Sequence, residues 1–141
     1  MDWKTALHTC LREKYADVNG RAQRSEFWWF VLFIFLGSLV ASALDAMLFA
    51  PVAGTTGPLN LIFTLITIVP AVTVTARRLH DTDRSGWWQL LLLIPIVGFL
   101  VILWWTATKG TDGPNRFGPD PLGGSGTPAP EEPLNRVPPA G

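Results

Sequence analysis

The chain has 141 residues, of which 48% are apolar and 16% are charged, and its formal net charge is zero. Soluble domains carry roughly 25% charged residues, and this length excludes two globular domains in addition to a membrane part. No basic domain is present to bind nucleic acid, and the single cysteine, Cys10, excludes an intramolecular disulfide.

Residues 2–16 are predicted to form an amphipathic helix, because their apolar side chains recur at helical spacing. These side chains are Trp3, Leu7, Cys10, Leu11 and Tyr15. Ahead of a membrane span, such a helix is expected to lie in the headgroup region with Trp3 and Tyr15 as interfacial anchors. Packing on a soluble partner or on the loops is the alternative.

Three apolar runs follow, and Asp45 is the only ionisable side chain within them. The runs are Phe27–Ala50, Leu59–Ala76 and Trp87–Thr108. A run of about 18 or more apolar residues matches the hydrocarbon thickness of a bilayer. Transmembrane helices are therefore predicted at about 26–49, 58–79 and 86–108. Ala41-Ser42-Ala43 resembles a signal-peptidase site, but the long polar segment before the first run favours a span.

The predicted fold class is an all-α membrane protein with three transmembrane helices, the interfacial helix and a disordered tail. The helical membrane domain covers 1–121, and the Pro/Gly-rich segment 122–141 is the tail. Small residues in the first span, Gly37 with Ala41 and Ser38 with Ser42, would allow another helix to approach closely. Pro70 and Pro95 are expected to kink the second and third spans.

Basic residues predict the orientation. They precede the first span, are missing from the link between the first two spans, and return in the next link. The positive-inside rule then places the N-terminus in the cytoplasm. Three crossings would place the C-terminus outside, although Lys109 and Arg116 weaken that assignment.

Three polar motifs carry a resemblance to a known family. They are Gly20-Arg21-Ala22 with Arg24-Ser25-Glu26-Phe27-Trp28, the segment Arg77–Trp88, and the segment Gly110–Asp120. In this order they closely resemble the domain-of-unknown-function 805 family of small bacterial inner-membrane proteins, over roughly residues 1–121. The resemblance implies a bacterial inner-membrane location and a helical bundle. It implies no catalytic residues.

The second link is a candidate anionic-lipid site. Its residues are Arg77, Arg78, Arg84 and Ser85. Arginines at a membrane surface, beside the N-terminus of the third span, would suit a phosphate headgroup. The alternative is that the arginines are topological anchors while Asp81, Asp83 and Ser85 cap and turn the hairpin. His80 with these aspartates is a weak metal signal, since a structural zinc site needs four ligands, and no metal or cofactor is predicted.

Asp45 is predicted to face inward near the outer end of the first span, because ionisable groups in a span need a partner or a cavity. The three-span topology would bring Arg116 to the same side, which predicts an Asp45–Arg116 pair or a cap on the outer loop. A proton or cation site is the alternative.

No enzyme motif is present in the sequence. The predicted function is therefore a non-enzymatic structural or regulatory membrane component. It would act through self-association or a larger membrane partner, in contact with membrane lipids. A small transport or channel subunit and an anionic-lipid-binding protein are the alternatives.

Overall fold

The computed structural model describes residues 1–49 and 56–122, and it is all-α. Helix α1 spans Trp3–His8 and continues as a π-helical turn over Thr9–Glu13. The carboxylate of Asp2 caps α1 by accepting from the backbone N–H of Thr5 at 3.2 Å. This N-terminal helix packs across the first long helix through its apolar face, while Lys4 and Arg12 stay exposed.

Two long apolar helices form the centre of the molecule. Helix α2 spans Arg24–Leu48 and α3 spans Pro58–Asp81, and both are long and apolar enough to cross a membrane. At 1.5 Å per residue, each measures about 36 to 38 Å, which exceeds the roughly 30 Å of a hydrocarbon core. They run antiparallel, because Ala22 donates to Arg77 at one end and Asp45 binds Leu59 at the other.

The small residues of α2 are used for this internal packing. A methyl group on Gly37 would overlap the ring of Phe63, Ala41 is buried, and the hydroxyl of Ser42 accepts from Asn60 at 2.5 Å. Close approach of α2 and α3 therefore depends on these positions. Gly37 and Ser42 contact α3 of the same chain, so part of this small-residue face is used within the chain, while the Ser42 side chain stays exposed.

The third apolar segment is not one continuous helix, so the prediction of a single span over 86–108 is wrong. A 3-10 helix spans Gly86–Leu93, and α4 spans Val97–Ala107. Pro95 explains the break, since it has no N–H and forces Ile94 into an extended conformation. Ile96 follows at φ 67, and the N–H of Val97 closes a three-residue turn on the Pro95 carbonyl at 2.8 Å.

The 3-10 helix and α4 fold against each other as a hairpin. The rings of Trp88 and Trp105 meet edge to face at 5.6 Å, and Gly98 lies against the carbonyl of Leu91. A side chain at position 98 would overlap that carbonyl, so the backbones of the two arms can approach this closely only because residue 98 is a glycine. Each arm is about 16 Å long, which is roughly half of a hydrocarbon core.

Both ends of the hairpin lie beside the C-terminal end of α3. Gly86 packs on Ala76, and the N–H of Thr111 donates to the Asp81 carbonyl at 2.6 Å. We call this end of the molecule, marked by Arg21, Arg78 and Asp81, the polar end. The segment therefore returns to the end from which it starts. The three-crossing architecture is wrong for this reason, and residues 109–122 lie at the polar end. The predicted tail falls outside the described residues from 123 onward.

Candidate functional site

The polar end is organised around one buried carboxylate, that of Asp81 at the end of α3. Arg21 reaches it from the segment before α2, with Nε and Nη2 both 2.9 Å from Oδ1. Arg78, one turn earlier in α3, donates through Nη1 to Oδ2. All three side chains are almost completely buried. Two arginines thus share one aspartate, and this arrangement needs further acceptors because burial of unsatisfied charge is costly.

Backbone carbonyls supply those acceptors. Arg21 donates to Thr111 at 2.5 Å and to Gly113 at 2.6 Å, which fixes the loop after α4. Arg78 donates to Thr106 at 2.9 Å and also to Thr108 at the end of α4. Backbone carbonyls therefore accept the hydrogen bonds that Asp81 leaves unmade on both guanidinium groups. A side chain at position 110 would overlap the Asp81 carboxylate, which explains Gly110 in the same loop.

A second buried pair lies beside the first. Arg77 binds Glu26 of α2, with Nη1 2.6 Å from Oε1. The thiol of Cys10 lies between them, 3.7 Å from the Glu26 carboxylate and 3.9 Å from Nη2 of Arg77. Burial, reinforced by the charge of Glu26, raises the pKa of the Cys10 thiol to about 12. The pair therefore joins the N-terminal helix, α2 and α3.

The rim of the polar end is formed by the loop after α4, residues 109–122, which we call the rim loop. The ring of Phe117 stacks on His80 at a centroid distance of 4.0 Å and an interplanar angle of 3°. Nδ1 of His80 lies 3.0 Å from the carbonyl of Gly20, and the amide of Asn115 donates to the His80 carbonyl at 2.9 Å. Arg116 pairs with Asp83 on the exposed surface at 3.2 Å. These contacts hold the loop over the cluster.

The candidate anionic-lipid residues do not form an exposed headgroup site. Arg77 is 2% exposed and Arg78 is 0% exposed, and both are engaged by acidic partners. The guanidinium of Arg84 lies 4.5 Å from the Trp105 ring centroid, and Ser85 accepts from Trp87 to cap the 3-10 helix. The prediction treated the arginines as surface cations, whereas tertiary packing turns two of them inward.

Asp45 and Arg116 are not brought together, so the predicted pair is wrong. Asp45 is buried at the opposite end of α2, where its two oxygens accept from the N–H groups of Leu59 and Asn60 at 2.9 Å. Arg116 lies beyond the other end of α3, a helix of about 36 Å. Asp45 instead satisfies free donors in the first turn of α3, where a negative charge also complements the helix dipole.

Comparison with known proteins shows the family to which the chain belongs. Residues 15–119 match the family described as "Protein of unknown function (DUF805)". The chain belongs to this family. Among the relatives of this DUF805 protein is Inner membrane protein YhaH of Escherichia coli (strain K12), 44% identical over 121 residues, which are 86% of this chain and 97% of the relative. Inner membrane protein YhaI of the same strain is 40% identical over 114 residues, 80% and 92% of the two chains. No solved structure matches.

The resemblance predicted from the three motifs is thereby confirmed, and this DUF805 protein is an inner-membrane protein. The structure adds what those motifs do. Arg21 comes from the first, Arg78 and Asp81 from the second, and the accepting carbonyls of Thr111 and Gly113 from the third. Arg21 and Glu26 were not predicted as site residues, although both lie in the first motif. The available signal was a charged residue next to an apolar run.

Proposed function

We propose that this DUF805 protein is a two-span, non-enzymatic component of the bacterial inner membrane, with its polar end and N-terminus in the cytoplasm. The observation that carries the proposal is the convergence of the three motifs on one buried cluster around Asp81. The buried arginines donate to acidic side chains and to carbonyls of the same chain. A cluster committed in this way favours a fixed structural surface over chemistry on a substrate.

The distribution of charge supports this orientation. Every Lys and Arg up to residue 122 belongs to a segment at the polar end: Lys4, Arg12, Lys14, Arg21, Arg24, Arg77, Arg78, Arg84, Lys109 and Arg116. The link between α2 and α3 contains none. Because the hairpin returns to the polar end, Lys109 and Arg116 agree with the positive-inside rule instead of weakening it.

The protein would act through contact with a partner protein or with a second copy at its polar end. The rim loop is held rigidly by Arg21 and His80, yet Pro114 and Arg116 are exposed on it. A rigid, exposed loop can bind a partner without first paying for its own ordering. The transport alternative gains no support, because Ser42, Thr64 and Thr67 bond to neighbours within α2 and α3.

Two measurements test the proposal. Reporter fusions at residue 1 and after residue 122 should both report the cytoplasm, and opposite sides would contradict the topology. A photo-crosslinking residue at Pro114 should capture a defined protein in intact membranes. The matched probe at Met47, exposed at the opposite end, should not capture it. Equal labelling from both positions would contradict a role for the polar end.

A further inference from the structure

Within the part of the chain that the structure describes, more helical segments pack together at the polar end than at the opposite end. The hydrophobic core cluster consists of Cys10, Ala22, Phe27, Phe30 and Val74, which lie in the N-terminal helix, in the segment just before α2, and in the polar halves of α2 and α3. In the opposite half, the described residues comprise α2 and α3 alone. Their side chains there, such as Leu39 and Leu65, are more than half exposed. Among the described residues, the N-terminal helix and both arms of the hairpin therefore pack beside α2 and α3 in the polar half only.

The lengths of the elements place this asymmetry relative to a bilayer. The hairpin starts beside Ala76 and ends beside Arg78, and each arm is about 16 Å long. It can therefore reach no deeper than about the level of Thr67, near the middle of the roughly 36 Å of α3. With a hydrocarbon core of roughly 30 Å, the hairpin occupies one leaflet.

The outer surface of the hairpin is suited to that position. Leu93 is 80% exposed and Ile96 is 74% exposed at the turn, and Phe99 and Trp104 project from α4. The turn also satisfies backbone groups internally, because Ile94 and Gly98 donate to Leu91 and Ile94 at 2.9 and 3.0 Å. These bonds, with the missing N–H of Pro95, reduce the number of backbone donors that the turn would leave unpaired in hydrocarbon.

The N-terminal helix adds to the same side. It packs on the polar half of α2 through Leu7 and Leu11, while Trp3 remains half exposed beside the charged Lys4. The segment that follows this helix reaches the middle of α3, where the Tyr15 hydroxyl donates to the Ile66 carbonyl at 2.6 Å, and no deeper position is occupied by its described contacts. Binding of amphipathic helices to a bilayer depends on curvature. Both additional elements therefore displace lipid from the same leaflet.

We infer that the protein is a one-leaflet wedge that partitions toward membranes in which the leaflet at its polar end is convex. The inference rests on the proposed two-span topology and adds a lipid-dependent property to it. Elements about 10 Å wide in one leaflet and not in the other spread that leaflet. In a convex leaflet the lipid headgroups are already spread apart, so inserting these elements costs less free energy there than in a concave leaflet.

The test uses the full chain in giant vesicles from which narrow tubes are pulled. The variant Asp112→Cys carries a small dye on an exposed loop position at the polar end. A membrane-impermeant quencher distinguishes molecules whose polar end faces outward from those facing the lumen. Outward-facing molecules should show a tube-to-vesicle density ratio above unity that rises as the tube narrows. Lumen-facing molecules of the same preparation should show a ratio below unity.

The two orientations are matched controls, since the protein, the dye and the lipids are identical. A ratio of unity for both orientations, in a protein whose two reporters face the same side, would overturn the wedge and leave the proposed function intact. Equal enrichment of both orientations would also overturn it. Reporters on opposite sides would instead disprove the topology on which both proposals depend.

Discussion

The hydroxyl of Tyr15 donates a 2.6 Å hydrogen bond to the carbonyl of Ile66 in the middle of α3. That carbonyl would accept from residue 70 in a regular helix, but residue 70 is proline and has no N–H. The N-terminal segment thus supplies the donor that the helix lacks. Thr73 in turn donates to the Tyr15 carbonyl at 3.2 Å. Tyr15 is thus the specific donor for the carbonyl that Pro70 leaves free.

Tyr15→Phe should lower the free energy of unfolding by about 1 to 2 kcal/mol, because it leaves the Ile66 carbonyl unsatisfied. Unfolding in mixed detergent micelles measures the change. Pro70→Ala restores an N–H to that carbonyl, so the same tyrosine substitution should cost clearly less in the Pro70→Ala background. Equal costs in both backgrounds would show that the hydroxyl does not serve this carbonyl.

Removal of the central carboxylate should be far more damaging than removal of a surface one. Asp81→Ala leaves Arg21 and Arg78 buried without their shared counterion, and breaking a buried pair costs about 3 to 5 kcal/mol. Thermal unfolding in detergent provides the measurement. Asp112→Ala is the matched control, because its pair with Lys109 is exposed and worth at most about 1 kcal/mol. Similar losses for both variants would contradict the cluster.

Asp45 is predicted to act as a helix cap and not as a proton site. Asp45→Ala should cost about 1 kcal/mol, the usual value of a cap, because the N–H groups of Leu59 and Asn60 lose their acceptors. Asp45→Asn keeps one acceptor oxygen and should cost less. Thermal unfolding of both variants checks the order. An asparagine variant less stable than the alanine variant would refute the cap.

The Cys10 thiol should resist alkylation in the folded protein. Its pKa of about 12, raised by burial, keeps it protonated at pH 7 and still at pH 9, and the thiolate is the reactive form. Maleimide labelling followed by mass measurement should show slow modification in mild detergent and full modification in SDS. The exposed thiol of Asp112→Cys should react rapidly in the same sample. Equal rates for both cysteines would contradict the buried site.

A glycine in the hairpin turn should stabilise the protein at position 96 but not at position 94. Ile96 has φ 67, a conformation that costs a β-branched residue roughly 1 kcal/mol or more, so Ile96→Gly should raise stability. Ile94 has φ −92 and needs no such freedom, so Ile94→Gly should lower stability through backbone entropy and lost packing. Thermal unfolding of the two variants decides this, and a loss at both positions would argue against the turn.

Hydropathy was sufficient to predict α2 and α3, because each is an apolar segment long enough to cross a bilayer as a single helix. Hydropathy did not predict the structure of the third segment, because the same apolar residues can form either one transmembrane helix or a hairpin of two shorter helices. The choice depends on Pro95 and on tertiary contacts such as Arg78 with Thr106. Arg21 and Asp81 are 60 residues apart in sequence, so no local spacing indicates that they meet.

The order in which the chain is made gives the Asp81 cluster a further consequence. A nascent chain that has reached Asp81 already holds Arg21, Arg78 and their carboxylate, but the ribosome has not yet added Thr106 or Thr111. The guanidinium groups then still lack the carbonyls that complete their shells. The cluster is therefore complete only after the hairpin has folded back. A product truncated before Thr106 would leave the guanidinium groups of Arg21 and Arg78 without these acceptors.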